Sequence, residues 1–186
     1  MLLLIIGIII FFTVHLIPSF TVLRQKLIAW KGEAFYKIGY SCAALVSIVL
    51  IIIGKGRAEY VQIWNSPGWA YHVTQIVMLF ALIFFQAAYM PTNLKRLIRH
   101  PFLTGLALWA LSHLLVNGDL ASIILFGGFG VFAIFDMWSS NRRGAQKSDR
   151  KFPAYRDIIL VAVGIVLYGV IVHLHPYLFG VSAIPR

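Results

Sequence analysis

Histidine is the residue type in this sequence that is best suited to chemistry in an apolar setting. Neutral imidazole ligates metals and tolerates an apolar environment better than a carboxylate does. The six carboxylates lie in predicted loops or near predicted helix ends, with no pair placed for buried acid–base work. This distribution argues against a charge-relay transporter, and the sequence shows no nucleophile with its base, as a hydrolase would need. The six histidines are His15, His72, His100, His113, His173 and His175.

His113 shares one predicted helical face with Gly105, Trp109 and Asn117, because these residues recur at every fourth position. Glycine would let a flat group approach this face, and the Trp109 ring would flank it. The functional interpretation is therefore a metal or haem ligand. The alternative is small-residue packing between membrane helices, with the imidazole bonded to a neighbouring carbonyl.

His15 lies in a strongly apolar segment that Pro18 follows, and the proline is expected to mark the end of a helix. His15 is the second candidate ligand, and its alternative role is that of an interfacial side chain reaching the headgroups. His100 and His72 are weaker candidates. Arg99 and His100 precede Pro101, so they are also explained as a helix start.

The composition predicts an integral membrane protein rather than a soluble one. Apolar residues make up 60% of the chain, charged residues 12%, and the mean hydropathy is +0.85. A soluble domain has about 25% charged residues. We therefore predict an all-α bundle of about six transmembrane helices forming a single domain over residues 1–186. The predicted segments are Leu2–Phe20, Ile38–Gly54, Trp69–Met90, Phe102–Val116, Leu120–Trp138 and Ile158–Phe179.

The net charge of +10 is distributed unevenly between the connections. Lys and Arg cluster in the first, third and fifth connections, whereas the second holds only Lys55 and Arg57 and the fourth holds none. This pattern predicts cytoplasmic odd-numbered connections and both termini on the other side, the periplasm in a bacterium. It also explains the basic charge without a nucleic-acid partner. The partner predicted from composition is the lipid bilayer.

The predicted orientation relates the histidines to one another. His113 would lie roughly 18 Å into the fourth helix, and His15 in the cytoplasmic half of the first, so the two could meet near the middle of the membrane. His72, His173 and His175 would lie toward the opposite surface. His173 and His175 are two positions apart on a predicted helix, so they should point to different faces.

Several segments together resemble one known family over essentially the whole chain. They are Arg99–Gly105, Leu108–Leu115, Asn117–Ser122, Leu125–Gly127 and His15–Pro18, with Arg24, Tyr36, Gly39 and Tyr40. This pattern resembles the NnrU family of bacterial membrane proteins. The resemblance implies an inner-membrane protein linked to denitrification, with components of the nitrite and nitric oxide reductases as partners.

A plant relative, 15-cis-zeta-carotene isomerase, is similar to this family and binds haem b through histidines. Carried over, the resemblance implies haem b with His15 and His113 as the metal ligands. The remaining candidates for cofactor binding are Gly105, Trp109, Asn117, Arg99 and His100. The implied activity is then either a redox role in denitrification or a haem-dependent cis–trans isomerisation of a polyene.

Two alternatives remain open. The Arg99–His100–Pro101 stretch also resembles the helix start of isoprenylcysteine carboxyl methyltransferases, which implies S-adenosylmethionine near Arg99 and His100. The carboxylate-rich segment of that family has only a faint counterpart here, at Lys151–Asp157. The other alternative is a non-enzymatic assembly factor for a respiratory reductase, which would need no cofactor.

Overall fold

The computed structural model describes residues 1–184 and is 77% helical, with no strand in that part of the chain. The predicted all-α class is therefore confirmed. We label the six main helices in chain order: α1 Leu2–Leu16, α2 Thr21–Gly56, α3 Ala70–Tyr89, α4 Pro101–Val116, α5 Leu120–Arg142 and α6 Tyr155–Phe179. A short turn, Ile17–Ser19, follows α1, and a single helical turn, Leu94–Leu97, precedes α4.

Five helical segments are long and apolar enough to cross a membrane, and α4, with 16 residues, is shorter. At a rise of about 1.5 Å per residue α4 extends about 24 Å, less than the roughly 30 Å of a hydrocarbon core. Large aliphatic side chains face outward on several helices, as a lipid environment requires. Examples are Ile52, Ile76, Val131, Ile134 and Ile158, each 61–70% exposed.

The conformation of the first connection was predicted wrongly. The predicted loop with Arg24, Lys26, Lys31 and Lys37 is helical, because α2 begins at Thr21 and is interrupted only at Gly32. Gly32 has φ +86°, a conformation that glycine adopts without steric strain. The charges interrupt the apolar run but not the helix, since Leu, Arg, Gln, Lys and Glu are good helix formers.

The chain divides into two compact units. The first comprises Met1–Trp64 and Asp119–Gly128. Within it α1 and α2 approach closely at two glycines. An added Cβ at Gly54 would lie 2.2 Å from the Leu4 main-chain nitrogen, and one at Gly7 would lie 2.8 Å from that of Ile51. Small residues allow such backbone contact between membrane helices.

The start of α5 also belongs to the first unit. The Leu120 main-chain N–H donates to the Val61 carbonyl at 2.8 Å. Asp119 caps α5 by accepting from the Ser122 main-chain N–H at 3.0 Å. The turns that follow, Ile123–Gly127, form a π-helical segment within α5.

The second unit comprises Asn65–Gly118 and the chain from Phe129 onward. The Thr74 hydroxyl on α3 donates to the Ser112 carbonyl on α4 at 3.0 Å. The rest of α5 packs on α4, with the rings of Trp109 and Phe129 5.8 Å apart. At Gly164 of α6 an added Cβ would lie 2.5 Å from Ile83 of α3.

Candidate functional site

His113 lies three residues before the end of α4, and the helix itself holds its ring. Nδ1 lies 2.9 Å from the carbonyl oxygen of Trp109, one turn earlier. A carbonyl oxygen only accepts, so Nδ1 carries the proton and Nε2 the lone pair in the neutral ring. This is the form in which imidazole ligates a metal. The Trp109 ring flanks the imidazole, with the ring centroids 5.1 Å apart.

The His113 side chain lines a cavity of about 190 Å³ between α3, α4 and α6 in the second unit. Most of the lining is apolar, and the polar contributions come from a few side chains that converge on the space. Such a combination is typical of small-molecule sites, although most of these measure about 300–1,000 Å³. The polar lining includes Gln75, His113, Asn117, Tyr168 and His175.

Hydrogen bonds fix the polar side chains of this cavity. The Tyr168 hydroxyl donates to the Gln75 side-chain oxygen, and the Gln75 side-chain amide donates to the Ala183 carbonyl. The Asn117 side-chain amide donates to the main-chain carbonyl of His113 at 2.8 Å. The cavity therefore presents oriented polar groups within apolar walls, which suits a small ligand with both polar and apolar parts.

His15 belongs to the first unit and has the same local geometry as His113. Its Nδ1 lies 2.8 Å from the Phe11 carbonyl oxygen, again one turn earlier. The ring stacks on Phe11 with centroids 3.8 Å apart, and Tyr40 of α2 lies at 5.4 Å. The helix ends one residue after His15, and Pro18 lies in the turn that follows, as predicted.

Gly105 and Trp109 are placed differently from His113 and Asn117. Gly105 packs against α3, where an added Cβ would lie 2.9 Å from the Ala81 carbonyl oxygen. Close helix packing accounts for this glycine. Trp109 contacts Phe129 and His113, and only His113 and Asn117 of the four line the cavity.

Arg99 and His100 lie at a different place in the second unit, at the start of α4. His100 is the residue before the helix and Pro101 its first residue, which confirms the predicted helix start. Both side chains contact the Asn141 side-chain oxygen, Arg99 Nη1 at 2.5 Å and His100 Nε2 at 2.9 Å. Both also line an open cleft of about 370 Å³.

A sequence profile of the family described as NnrU protein matches residues 3–183, nearly the whole chain. The chain belongs to the NnrU family. Comparison with curated proteins and with solved structures gives no match. Family membership therefore rests on the sequence profile.

Besides Gln75 and Tyr168, His175 is a residue of this cavity that was not predicted from the sequence. It lines the same cavity as His113, and its Nδ1 lies 2.7 Å from the Val181 carbonyl oxygen. His173 is exposed, so the two histidines do point to different sides of α6, as predicted. A signal was available: His113 and His175 lie three and four residues before the ends of α4 and α6, helices predicted to run in the same direction.

The other histidines do not join this cavity. His72 is exposed on α3, and His100 lies at the cleft. No group of three or more His, Cys, Asp or Glu side chains in residues 1–184 is arranged to hold a metal ion. Haem iron takes only one or two ligands from a protein, so a histidine site for haem does not need such a group.

Proposed function

We propose that this NnrU-family membrane protein binds haem b through His113 and His15. The observation that supports this most is the shared geometry of the two imidazoles, each held by a hydrogen bond from Nδ1 to a carbonyl oxygen one turn earlier. Metal-ligating histidines almost always donate their other ring N–H in this way.

The chain's own residues would contribute orientation and environment. The Trp109 and Phe11 carbonyls fix each ring and increase the basicity of Nε2. An aromatic side chain flanks each imidazole, Phe11 beside His15 and Trp109 beside His113. Haem, when bound, would supply one-electron chemistry or a coordination position for a small ligand.

The two imidazoles are suitable ligands for haem iron, but the cavity beside His113 is too small for the whole haem. The cavity beside His113 measures about 190 Å³, below the range of about 300–1,000 Å³ that is usual for pockets of drug-sized ligands. It cannot enclose a whole porphyrin. A haem on His113 would have to extend beyond this cavity.

The resemblance to known relatives suggests two physiological roles for such a haem. One is denitrification at the bacterial inner membrane, with nitrite or nitric oxide reductase components as partners. The other is haem-dependent isomerisation of a polyene. A polyene substrate would need an elongated apolar slot. Spectral changes of the purified protein on addition of a polyene would distinguish the second role from the first.

The decisive experiment is an absorption spectrum of the protein purified in detergent from haem-sufficient cells. We expect a Soret band that shifts or bleaches in His113→Ala and in His15→Ala. His72→Ala and His173→Ala are matched controls, because both residues are exposed and neither lines the His113 cavity. A colourless preparation, or equal loss in all four variants, would contradict the proposal.

The methyltransferase alternative has one supporting observation, namely that Arg99 and His100 line the same cleft. Calorimetry with S-adenosylmethionine tests it, and absence of binding removes it. The assembly-factor alternative predicts that a colourless protein copurifies with a reductase subunit.

A further inference from the structure

A basic cleft lies at the start of α4, where two connections of the second unit meet. Its volume is about 370 Å³, and it is lined by residues of the connection before α4 and by residues 146–148 of the connection before α6. Three of these residues carry fixed positive charges, namely Lys95, Arg99 and Lys147. We call this cavity the basic cleft, after these three residues and His100 in its lining.

The charges of the basic cleft have no opposite charge in its lining. None of the described residues that line the cleft is Asp or Glu. Asp149 follows Ser148 but does not line the cleft. Asp157 of α6 accepts from Thr92 and Asn93. Cations gathered in a concave surface create a positive potential that attracts anions.

Hydrogen bonds hold the two sides of the cleft in place. The Ser148 main-chain N–H donates to the Lys95 carbonyl at 3.1 Å. The Asn93 side-chain amide donates to the Phe152 main-chain carbonyl at 2.8 Å, and the Asn93 side-chain oxygen accepts from the Phe152 main-chain N–H at 2.9 Å. These contacts hold the segment that carries Lys147 against the connection that carries Lys95 and Arg99.

The Arg99 guanidinium is oriented but not saturated. Asn141 accepts from one of its five N–H donors, and the structure gives the others no protein partner within residues 1–184. Asn141 also bonds His100 Nε2. The cleft further adjoins the N-terminal end of α4, where Phe102 and Leu103 line it and where the helix dipole favours negative charge.

We propose that the basic cleft binds a phosphate group. A phosphate matches three cations in the lining of one cleft, one of them the fork of an arginine, better than a single carboxylate does. The charge distribution predicts that both connections face the cytoplasm, where anionic lipid headgroups are concentrated. The phosphate can therefore come from a lipid headgroup or from a soluble phosphate ester.

The test is binding of two probes to delipidated, detergent-purified protein: dioctanoyl phosphatidic acid and inorganic pyrophosphate. We expect Arg99→Gln and Lys147→Gln to weaken binding about tenfold each, because each removes a charge-assisted contact. Arg96→Gln and Lys151→Gln are matched controls, since they remove the same charge from the same connections but lie outside the cleft. These controls should weaken binding by about twofold or less.

The two probes separate the sources of the phosphate. Tight binding of the lipid alone identifies a headgroup site, whereas comparable binding of pyrophosphate identifies a soluble ligand. No binding of either probe, or equal weakening by cleft and control variants, overturns the proposal. Arg99→Lys keeps the charge but not the fork, so it should weaken binding less than Arg99→Gln does. Circular dichroism of each variant would detect loss of binding through misfolding.

Discussion

Nζ of Lys55 lies 2.9 Å from Oδ1 of Asp119, although 64 positions separate the two residues. Lys55 also donates to the Ser122 hydroxyl at 2.8 Å, and that hydroxyl donates to Asp119 Oδ2 at 2.5 Å. Asp119 is only 6% exposed. This cluster joins the end of α2 to the start of α5 within the first unit.

Removing Asp119 should destabilise the protein substantially. Asp119→Ala leaves Lys55 without its ion-pair partner and the α5 N-terminus without its cap, so we expect a loss of about 2 kcal/mol in the free energy of unfolding. Thermal unfolding in detergent, followed by circular dichroism, measures the change. The control is Glu33→Ala, because the Glu33–Lys37 pair is exposed and should contribute less than about 0.5 kcal/mol. Equal effects of the two substitutions would contradict this ranking.

The same cluster should make stability depend on pH. Burial acts to raise the pKa of Asp119, but hydrogen bonds from Ser122 and Lys55 outweigh it, so the pKa lies below its ordinary value of 3.8. A lowered folded-state pKa contributes stability above the unfolded-state pKa and loses it as pH falls through the folded-state value. The melting temperature should therefore fall as the pH drops below about 4. In Asp119→Asn this part of the fall should be absent, and an unchanged pH profile would refute the assignment.

Most of the fold could be predicted because its cause is visible in the sequence. Apolar runs mark all six main helices, and Pro18, Pro101 and Asp119 mark helix boundaries correctly. The prediction of a loop between the first two helices was wrong for a physical reason. Lys and Arg interrupt hydropathy without interrupting a helix, so residues 21–37 looked like a loop. The Gly32 break within that segment depends on one φ angle, which a sequence does not display.

The candidate site could be predicted only in part. Helical periodicity correctly predicted that His113 and Asn117 share one face of α4. It could not show that α3 occupies the space beside Gly105. His175, Gln75 and Tyr168 join His113 from other helices, and that depends on tertiary packing. That His15 and His113 ligate haem remains a prediction.

The predicted orientation can be tested on both sides of α4, the shortest of the main helices. Alkaline phosphatase should be active when fused after Gly118, and green fluorescent protein should fluoresce when fused after Leu97. The reason is that the connection before α4 carries Lys95, Arg96 and Arg99, whereas the next carries no Lys or Arg. Exchanging the two reporters is the control and should abolish both signals. Fluorescence at both sites would mean that α4 does not cross the membrane.

The approach of α1 to α2 makes Gly54 sensitive to a single methyl group. An added Cβ would lie 2.2 Å from the Leu4 nitrogen and 2.6 Å from its Cα, and backbone atoms cannot move aside as a flexible side chain can. Gly54→Ala should therefore separate the helices at a cost of about 1–3 kcal/mol. Gly56→Ala is the matched control, because it lies on the same helix with no atom within 4 Å of the added Cβ. That variant should be neutral or slightly stabilising, since alanine lowers the entropy of the unfolded chain. Thermal unfolding of the two proteins in the same detergent gives the comparison, and equal melting temperatures would show that Leu4 and Gly54 are not in contact.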